Sequence, residues 1–235
     1  MKVLEINVVC GIRSTGRICT DLADVLYKEG HQCMIAYGRG EVPEKYQEYA
    51  IRIGNNIDVK WHFLMSQLFD KSGFESKKAT WELIDKIRSY NPDVIHLHNI
   101  HGYYINIEIL FEYLKISRKK IIWTLHDCWA YTGHCSHYSV AQCEQWRTQC
   151  LDCPQLKEYP ACILNGNVKQ NYIRKKRIFS GVPNMTLVTP SEWLANQVQK
   201  SFLSSYPVII IPNGIDLQQF RPTESEFRRK YHLEN

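Results

Sequence analysis

Two hydrophobic periods alternate along this chain, and the places where one gives way to the other mark its elements. Short apolar, β-branched runs at residues 3–9, 31–37, 93–98, 120–125, 186–189 and 208–211 read as strands covered on both faces, as in a parallel sheet. Between them the apolar residues fall at helical spacing. Ile18, Leu22, Val25 and Leu26 give the clearest stripe, within a helix expected over residues 16–29 and stopped by Gly30. Further helices are expected over 61–69, 77–90, 104–115, 168–179 and 192–202, with a short strand at 50–54. Asn91-Pro92 ends one helix ahead of the strand at 93–98, and Ser191 stands where the last of these helices needs an N-cap.

Strand and helix taking turns in this way predict an α/β fold, a single Rossmann-like parallel sheet flanked by helices. One stretch breaks the rhythm. Residues 128–166 carry no sustained period, and a cysteine-rich loop insertion of that length needs its own means of ordering.

Composition narrows the class. With 44% hydrophobic and 23% charged residues over 235 positions, disorder is excluded. A formal charge of +5 favours phosphates or an anionic membrane surface without calling for nucleic acid. The first apolar run is broken by Glu5 and Asn7, so it reads as a buried strand rather than a signal peptide. No apolar run approaches the roughly 18 residues that span a bilayer. The protein is therefore expected in the cytoplasm, with peripheral contact at the inner face of the plasma membrane as a further expectation. Nine cysteines in such a chain suit thiols or a metal site better than a disulfide framework.

The candidate chemistry gathers where strands end, because open α/β sheets bind ligands outside the carboxyl ends of their strands. His126 and Asp127 follow the strand at 120–125, and an imidazole there can exchange hydrogen bonds with a sugar or phosphate oxygen near neutral pH. Trp129 and Tyr131 beside them are aromatics suited to stacking on a sugar. The bland alternative is a structural histidine bonded to a loop backbone. His96-Leu97-His98-Asn99-Ile100-His101 offers two histidines at i and i+2, a metal-ligating spacing. Only His126 and Asp127 stand ready to complete such a site, so His98, Asn99 and His101 read rather as polar groups lining a substrate crevice.

The segment Gly11-Ile12-Arg13-Ser14-Thr15-Gly16-Arg17 leads into a helix N-terminus, where free backbone N–H groups favour an anion and Arg13 and Arg17 pair with phosphate. It lacks the three-glycine dinucleotide fingerprint, so an NAD-type site is not expected. The alternative is a tight turn with two solvated arginines. Cys135, Cys143, Cys150 and Cys153 include one CxxC and suit a structural zinc bracing the long loop, with His134, His137, Cys128 and Cys162 as substitute ligands. Free thiols or a redox pair are the alternatives. Lys169, Arg174, Lys175, Lys176 and Arg177 make one helix basic, with Ile173, Ile178 and Phe179 on its apolar side; it fits either an anionic lipid surface or a solvated face.

A resemblance then joins these pieces. The run Ile211-Pro212-Asn213-Gly214-Ile215-Asp216 through Phe220-Arg221-Pro222, with Thr189-Pro190-Ser191-Glu192 and His126-Asp127, resembles glycosyltransferases of family 4, of the GT-B fold, over essentially the whole chain. The cysteine loop looks like the branch that builds colanic-acid-type surface polysaccharides. The resemblance implies that residues 1–212 form the acceptor-side N-terminal domain and residues 213–235 begin an interdomain linker. The donor-holding C-terminal domain is then missing from these 235 residues, as in a part of a longer protein or a shortened product. It implies a retaining transfer from a nucleotide-sugar donor to a glycan or lipid-linked acceptor, needing no cofactor for catalysis because helix N-termini and basic side chains stabilise the leaving diphosphate. Carried over by position, Gly16 and its neighbours fall by the phosphate and acceptor, and His126 touches the donor sugar near the reacting carbon with Asp127 beside it. Ser191 and Glu192 fall at the matched strand-to-helix step. Two rivals remain: a glycan- or lipid-carrier-binding module without catalysis, and a metal-dependent hydrolase built on His96, His98 and His126.

Overall fold

The computed structural model describes residues 1–164, 166–218, 220–223 and 225–233. The strands are β1 (Lys2–Asn7), β2 (Gln32–Tyr37), β3 (Ala50–Arg52), β4 (Val94–Leu97), β5 (Lys120–Thr124), β6 (Met185–Thr189) and β7 (Val208–Ile210). The helices are α1 (Arg13–Lys28), α2 (Asn56–Phe69), α3 (Lys77–Tyr90), α4 (Ile107–Ser117), α5 (Val168–Phe179), α6 (Glu192–Gln199) and a short α7 (Phe227–Lys230). All strand pairings are parallel and their order is β3-β2-β1-β4-β5-β6-β7. This is the Rossmann-like α/β sheet that the alternation of periods predicts.

Alternation along the strands sorts side chains to two faces. Leu4, Ile6, Ile95, Leu97, Ile121 and Trp123 point into the larger core, which also takes in α3, α4 and α5. Val3, Cys33 and Ile35 point the other way and pack on Cys19 and Ala23 of α1. Glu5 lies on that second face, in register with His96 across β1 and β4.

Several boundaries differ from the sequence expectation. α1 begins at Arg13 rather than near residue 16, so Arg13 to Arg17 form its first turn instead of a loop. Gly16 permits this, because a Cβ there would meet Val9 Cγ2 at 3.0 Å and Gly11 N at 3.2 Å. α2 starts at Asn56 rather than 61, since Asn55 and Asp58 cap each other's backbone at its N-terminus. α4 starts three residues later than expected because Asn106 accepts from the N–H of Ile109.

The long loop also orders differently. It contains two short 3₁₀ turns, Trp129–Tyr131 and Gln145–Arg147, and it builds an aromatic core of its own. Tyr131, Tyr138 and Trp146 are buried against one another, with Tyr138 stacked on Trp146 at 4.8 Å. Burial therefore does much of the ordering that the sequence assigned to a metal. The basic helix α5 turns Ile178 and Phe179 into the core, leaving Ile173 outward. Lys175 is buried too, donating to the carbonyls of Trp129 at 2.8 Å and Thr132 at 3.2 Å. The core thus takes up most of the apolar side of α5. No described helix is long and apolar enough to cross a membrane.

Candidate functional site

Parallel pairing of β4 and β5 brings the segments after their carboxyl ends side by side. His98 and His126 meet there, His126 Nε2 lying 3.2 Å from His98 Nδ1 with the rings stacked at 5.5 Å. His98 Nε2 points back into the sheet, 3.4 Å from Glu5 Oε2. His96 lies 4.1 Å from His98, ring to ring, and its Nε2 is 2.8 Å from Thr124 Oγ1. A second pairing supports Asp127: its Oδ2 is 2.9 Å from His101 Nε2 and its Oδ1 accepts the Trp129 N–H at 2.9 Å. His101 Nδ1 in turn lies 3.1 Å from the Tyr159 hydroxyl.

Electrostatics follow from burial and these partners. Burial lowers His126 to about 4, helped by His98 and opposed by Asp127, so the imidazole is neutral near pH 7. Burial likewise takes His98 to about 3. For Asp127, burial pushes its carboxyl up, but His101 and the Trp129 N–H outweigh it and leave it below its ordinary value. Both Asp127 oxygens are engaged, which makes it a holder of the loop and of His101 more than a free base.

The remaining predicted residues divide. Asn99 is fixed through its backbone, its N–H donating to Asn7 Oδ1 and its carbonyl accepting from Tyr104. Trp129 and Tyr131 are 1% and 0% exposed, so neither ring offers a face to a sugar; Trp129 instead carries the Lys175 ammonium 3.5 Å from its centroid. At α1, Thr15 and Gly16 are buried while Arg13, Ser14 and Arg17 are exposed. The N-cap position, Ile12, supplies no side-chain acceptor and the first turn holds no acid, so the helix N-terminus stays open to an anion. Ser191 caps α6 by accepting from Leu194 N–H at 3.3 Å, and Glu192 is exposed in its first turn, at the carboxyl end of the strand next to β5.

Cys135, Cys143, Cys150 and Cys153 line one small space of ≈ 10 Å³ together with His134, and all are free thiols. The Gly133 N–H donates to Cys150 Sγ, and a hydrogen bond from Cys135 holds the Cys153 thiol down at about 6. Among the described residues, however, the group whose metal-ligand atoms all lie within 4.8 Å of one another is Glu5, His96 and His98. His126 is not part of it, which removes the third ligand from the hydrolase alternative.

Sequence reading missed four contributors. Glu5 registered only as a polar interruption of a strand. Arg39 lies over Tyr103 at 5.7 Å, and Tyr103 meets Tyr159 edge-on at 6.2 Å. Burial, with Tyr103 beside it, pushes the Tyr159 hydroxyl up, and the guanidinium groups of Arg39 and Arg13 pull against that. These side chains come from segments far apart in the chain, so no local pattern marks them. The hollow between His98, His101, His126 and Asp127 measures only ≈ 10 Å³, about room for one water. It is one wall of a site. A wider cavity of ≈ 1200 Å³ runs over the β4–β7 face, lined mainly by apolar residues such as Ile122, Val188 and Ile209, with His96 and His98 also in its lining.

Residues 15–162 match the profile of glycosyltransferase family 4. WcaC of Escherichia coli K12, named for a colanic acid biosynthesis glycosyl transferase, is 26% identical over 229 residues; the match covers 92% of this chain and 55% of WcaC. The chain thus spans about half the length of the curated relative it matches. Sucrose-phosphate synthase from Thermosynechococcus elongatus superposes with a TM-score of 0.60 at 13% identity, over 99% of this chain and 53% of the synthase. A glycosyltransferase from Rickettsia africae ESF-5 gives 0.52 at 13% identity, over 100% of this chain and 50% of its own. These two likenesses speak to the fold, which is that of the N-terminal half of GT-B enzymes.

Proposed function

The chain belongs to glycosyltransferase family 4, and on that premise we propose that it forms the acceptor-side half of a retaining, nucleotide-sugar-dependent transferase of surface polysaccharide biosynthesis. The observation that carries this reading is the setting of His126. It stands at the carboxyl end of β5, half-buried, with its Nε2 tied to His98. A neutral imidazole so placed bonds a sugar hydroxyl beside the reacting carbon. The open N-terminus of α1, with Arg13 and Arg17, takes the phosphate side. Residues 1–212 make this wall, and the largely exposed residues from 213 lead toward a donor-binding domain in the rest of the relatives' length. The acceptor is a glycan or a lipid-linked glycan. The transfer itself uses hydrogen bonds and positive charge rather than a metal.

The test incubates the complete gene product with a panel of nucleotide sugars and reads the anomeric configuration of the product by NMR. Retention of the donor configuration is expected. An inverted product contradicts the retaining mechanism, and sugar binding with no transfer from any donor moves the assignment to a carrier-binding module.

We also propose that the four cysteines hold a structural zinc that draws their thiols together around the space they already line. Elemental analysis is expected to find one zinc per chain, lost in Cys150→Ser/Cys153→Ser with a lowered melting midpoint. A metal-free protein of unchanged stability leaves the loop to its aromatic core alone.

A further inference from the structure

Glu5 is a carboxyl group where the strand pattern calls for an aliphatic side chain. It has no exposure, and a buried carboxyl is costly unless its oxygens are served. Around it stand Cys19 of α1, Cys33 of β2, His96 of β4 and His98 just after it. The Cys33 thiol donates to Oε1 at 3.7 Å. Oε2 has no hydrogen-bond partner, and neither has His98 Nε2; these two buried atoms lie 3.4 Å apart, close enough for a small turn of the ring to join them. His98 Nδ1 then lies 3.2 Å from His126 Nε2. Three side chains therefore form a line from the centre of the sheet to the strand-end site.

We propose that Glu5 and His98 are positioning residues that orient the His126 ring and fix which of its nitrogens carries the proton, an inference that rests on His126 being the sugar contact. A neutral imidazole has one N–H and one lone pair, so setting one end of the line sets the rest. As a carboxylate Glu5 can only accept, with Oε1 taking the Cys33 thiol and Oε2 left for His98. His98 then turns Nε2–H toward Glu5 and accepts at Nδ1 from the Nε2–H of His126. His126 Nδ1 is left as a lone pair facing the cleft. It accepts from a hydroxyl and repels an anionic oxygen, so this position selects a neutral sugar carbon bearing OH over a carboxylate. Burial supports the arrangement by holding both rings neutral, and it raises Glu5 to about 7, so the accepting carboxylate belongs to mildly alkaline solution. His96, packed on His98 and bonded to Thr124, keeps the middle ring from turning.

Nitrogen-15 NMR of the histidine rings at pH 8 tests this without any activity assay. The expected result is Nε2–H on both His98 and His126, with a pyridine-type Nδ1 on His126. Glu5→Leu removes the accepting end with a shape the sheet readily buries, since replacing a buried ionisable group by an apolar one is often neutral or stabilising. Its His126 nitrogens are expected to average between tautomers and its kcat, in the complete gene product, to fall about 10-fold or more with KM little changed, as for other outer-shell partners of a functional histidine. A purely structural Glu5 would move stability and leave the tautomer alone. Three results overturn the inference: Nδ1–H on His126 in the unaltered protein, unchanged His126 shifts in folded Glu5→Leu, or stoichiometric zinc binding that shifts the His96 and His98 nitrogens. If the tautomers are as expected and no donor is turned over, the functional reading fails while this one stands.

Discussion

His126→Ala lowers kcat of the complete gene product by about 10²-fold or more while KM for the donor changes little. The magnitude is that of removing one preorganised hydrogen-bonding group at a reacting centre. The split between kcat and KM follows if the contact tightens as charge develops, because an interaction made only in the transition state leaves ground-state binding alone. His126→Asn, which keeps a polar group near the same place, loses less. The pH profile adds a separate check. With His126 held at about 4, its ring stays neutral from about pH 5 upward, so no break in rate between pH 5 and 8 arises from it. A break near 6.5 that disappears in His126→Asn but persists in Glu5→Leu would mean a titrating imidazole and would contradict the burial described above.

Asp70→Ala is the substitution expected to cost most stability, about 3–5 kcal/mol, the range for removing one member of a buried pair. Asp70 is 1% exposed and ends α2 in a left-handed conformation (φ 54°, ψ 41°). Its Oδ1 lies 2.6 Å from His134 Nδ1, its Oδ2 accepts the Asn167 N–H at 2.9 Å, and its carbonyl accepts Asn171 Nδ2 at 2.6 Å. One residue thus ties the cysteine loop and the start of α5 to the end of α2. Alanine strands His134 and also takes a positive φ poorly, whereas asparagine tolerates that conformation and keeps an oxygen acceptor. Urea unfolding is therefore expected to rank wild type above Asp70→Asn and Asp70→Asn above Asp70→Ala. Limited proteolysis of Asp70→Ala should cut first within residues 128–166. Equal stability of all three would mean the loop is held by Trp146 and Tyr138 and does not need this tie.

What the sequence made legible followed from local period. α3 and α5 fall where helical spacing puts them, and all six main strands lie within two residues of their apolar runs. The arrival of His126 and Asp127 beyond a strand end was legible for the same reason. Misreadings came where tertiary burial overrode local chemistry. Trp129 and Tyr131 look like sugar-stacking rings beside a histidine, yet they are the core of the loop that follows. Lys175 looks like one of several solvated cations, but the fold buries it against Trp129, and burial takes its ammonium down to about 7. Gly16 reads as loop and acts as a close-packing position inside α1. Glu5 is silent in the sequence because its meaning lies in residues 28 and 93 positions away, Cys33 and His98. The family signature at 211–222 lies in exposed chain after β7, with Gln219 outside the described residues.

The wall formed after β4 and β5 is expected to hold the donor sugar. A crystal structure of the complete gene product with a bound nucleotide sugar tests it most directly. A sugar hydroxyl is expected within hydrogen-bond distance of His126 Nδ1, and the diphosphate at the N-terminus of α1 near Arg13 and Arg17. A sugar seated in the apolar cavity over β4–β7, or anywhere that leaves His126 Nδ1 unengaged, would contradict it.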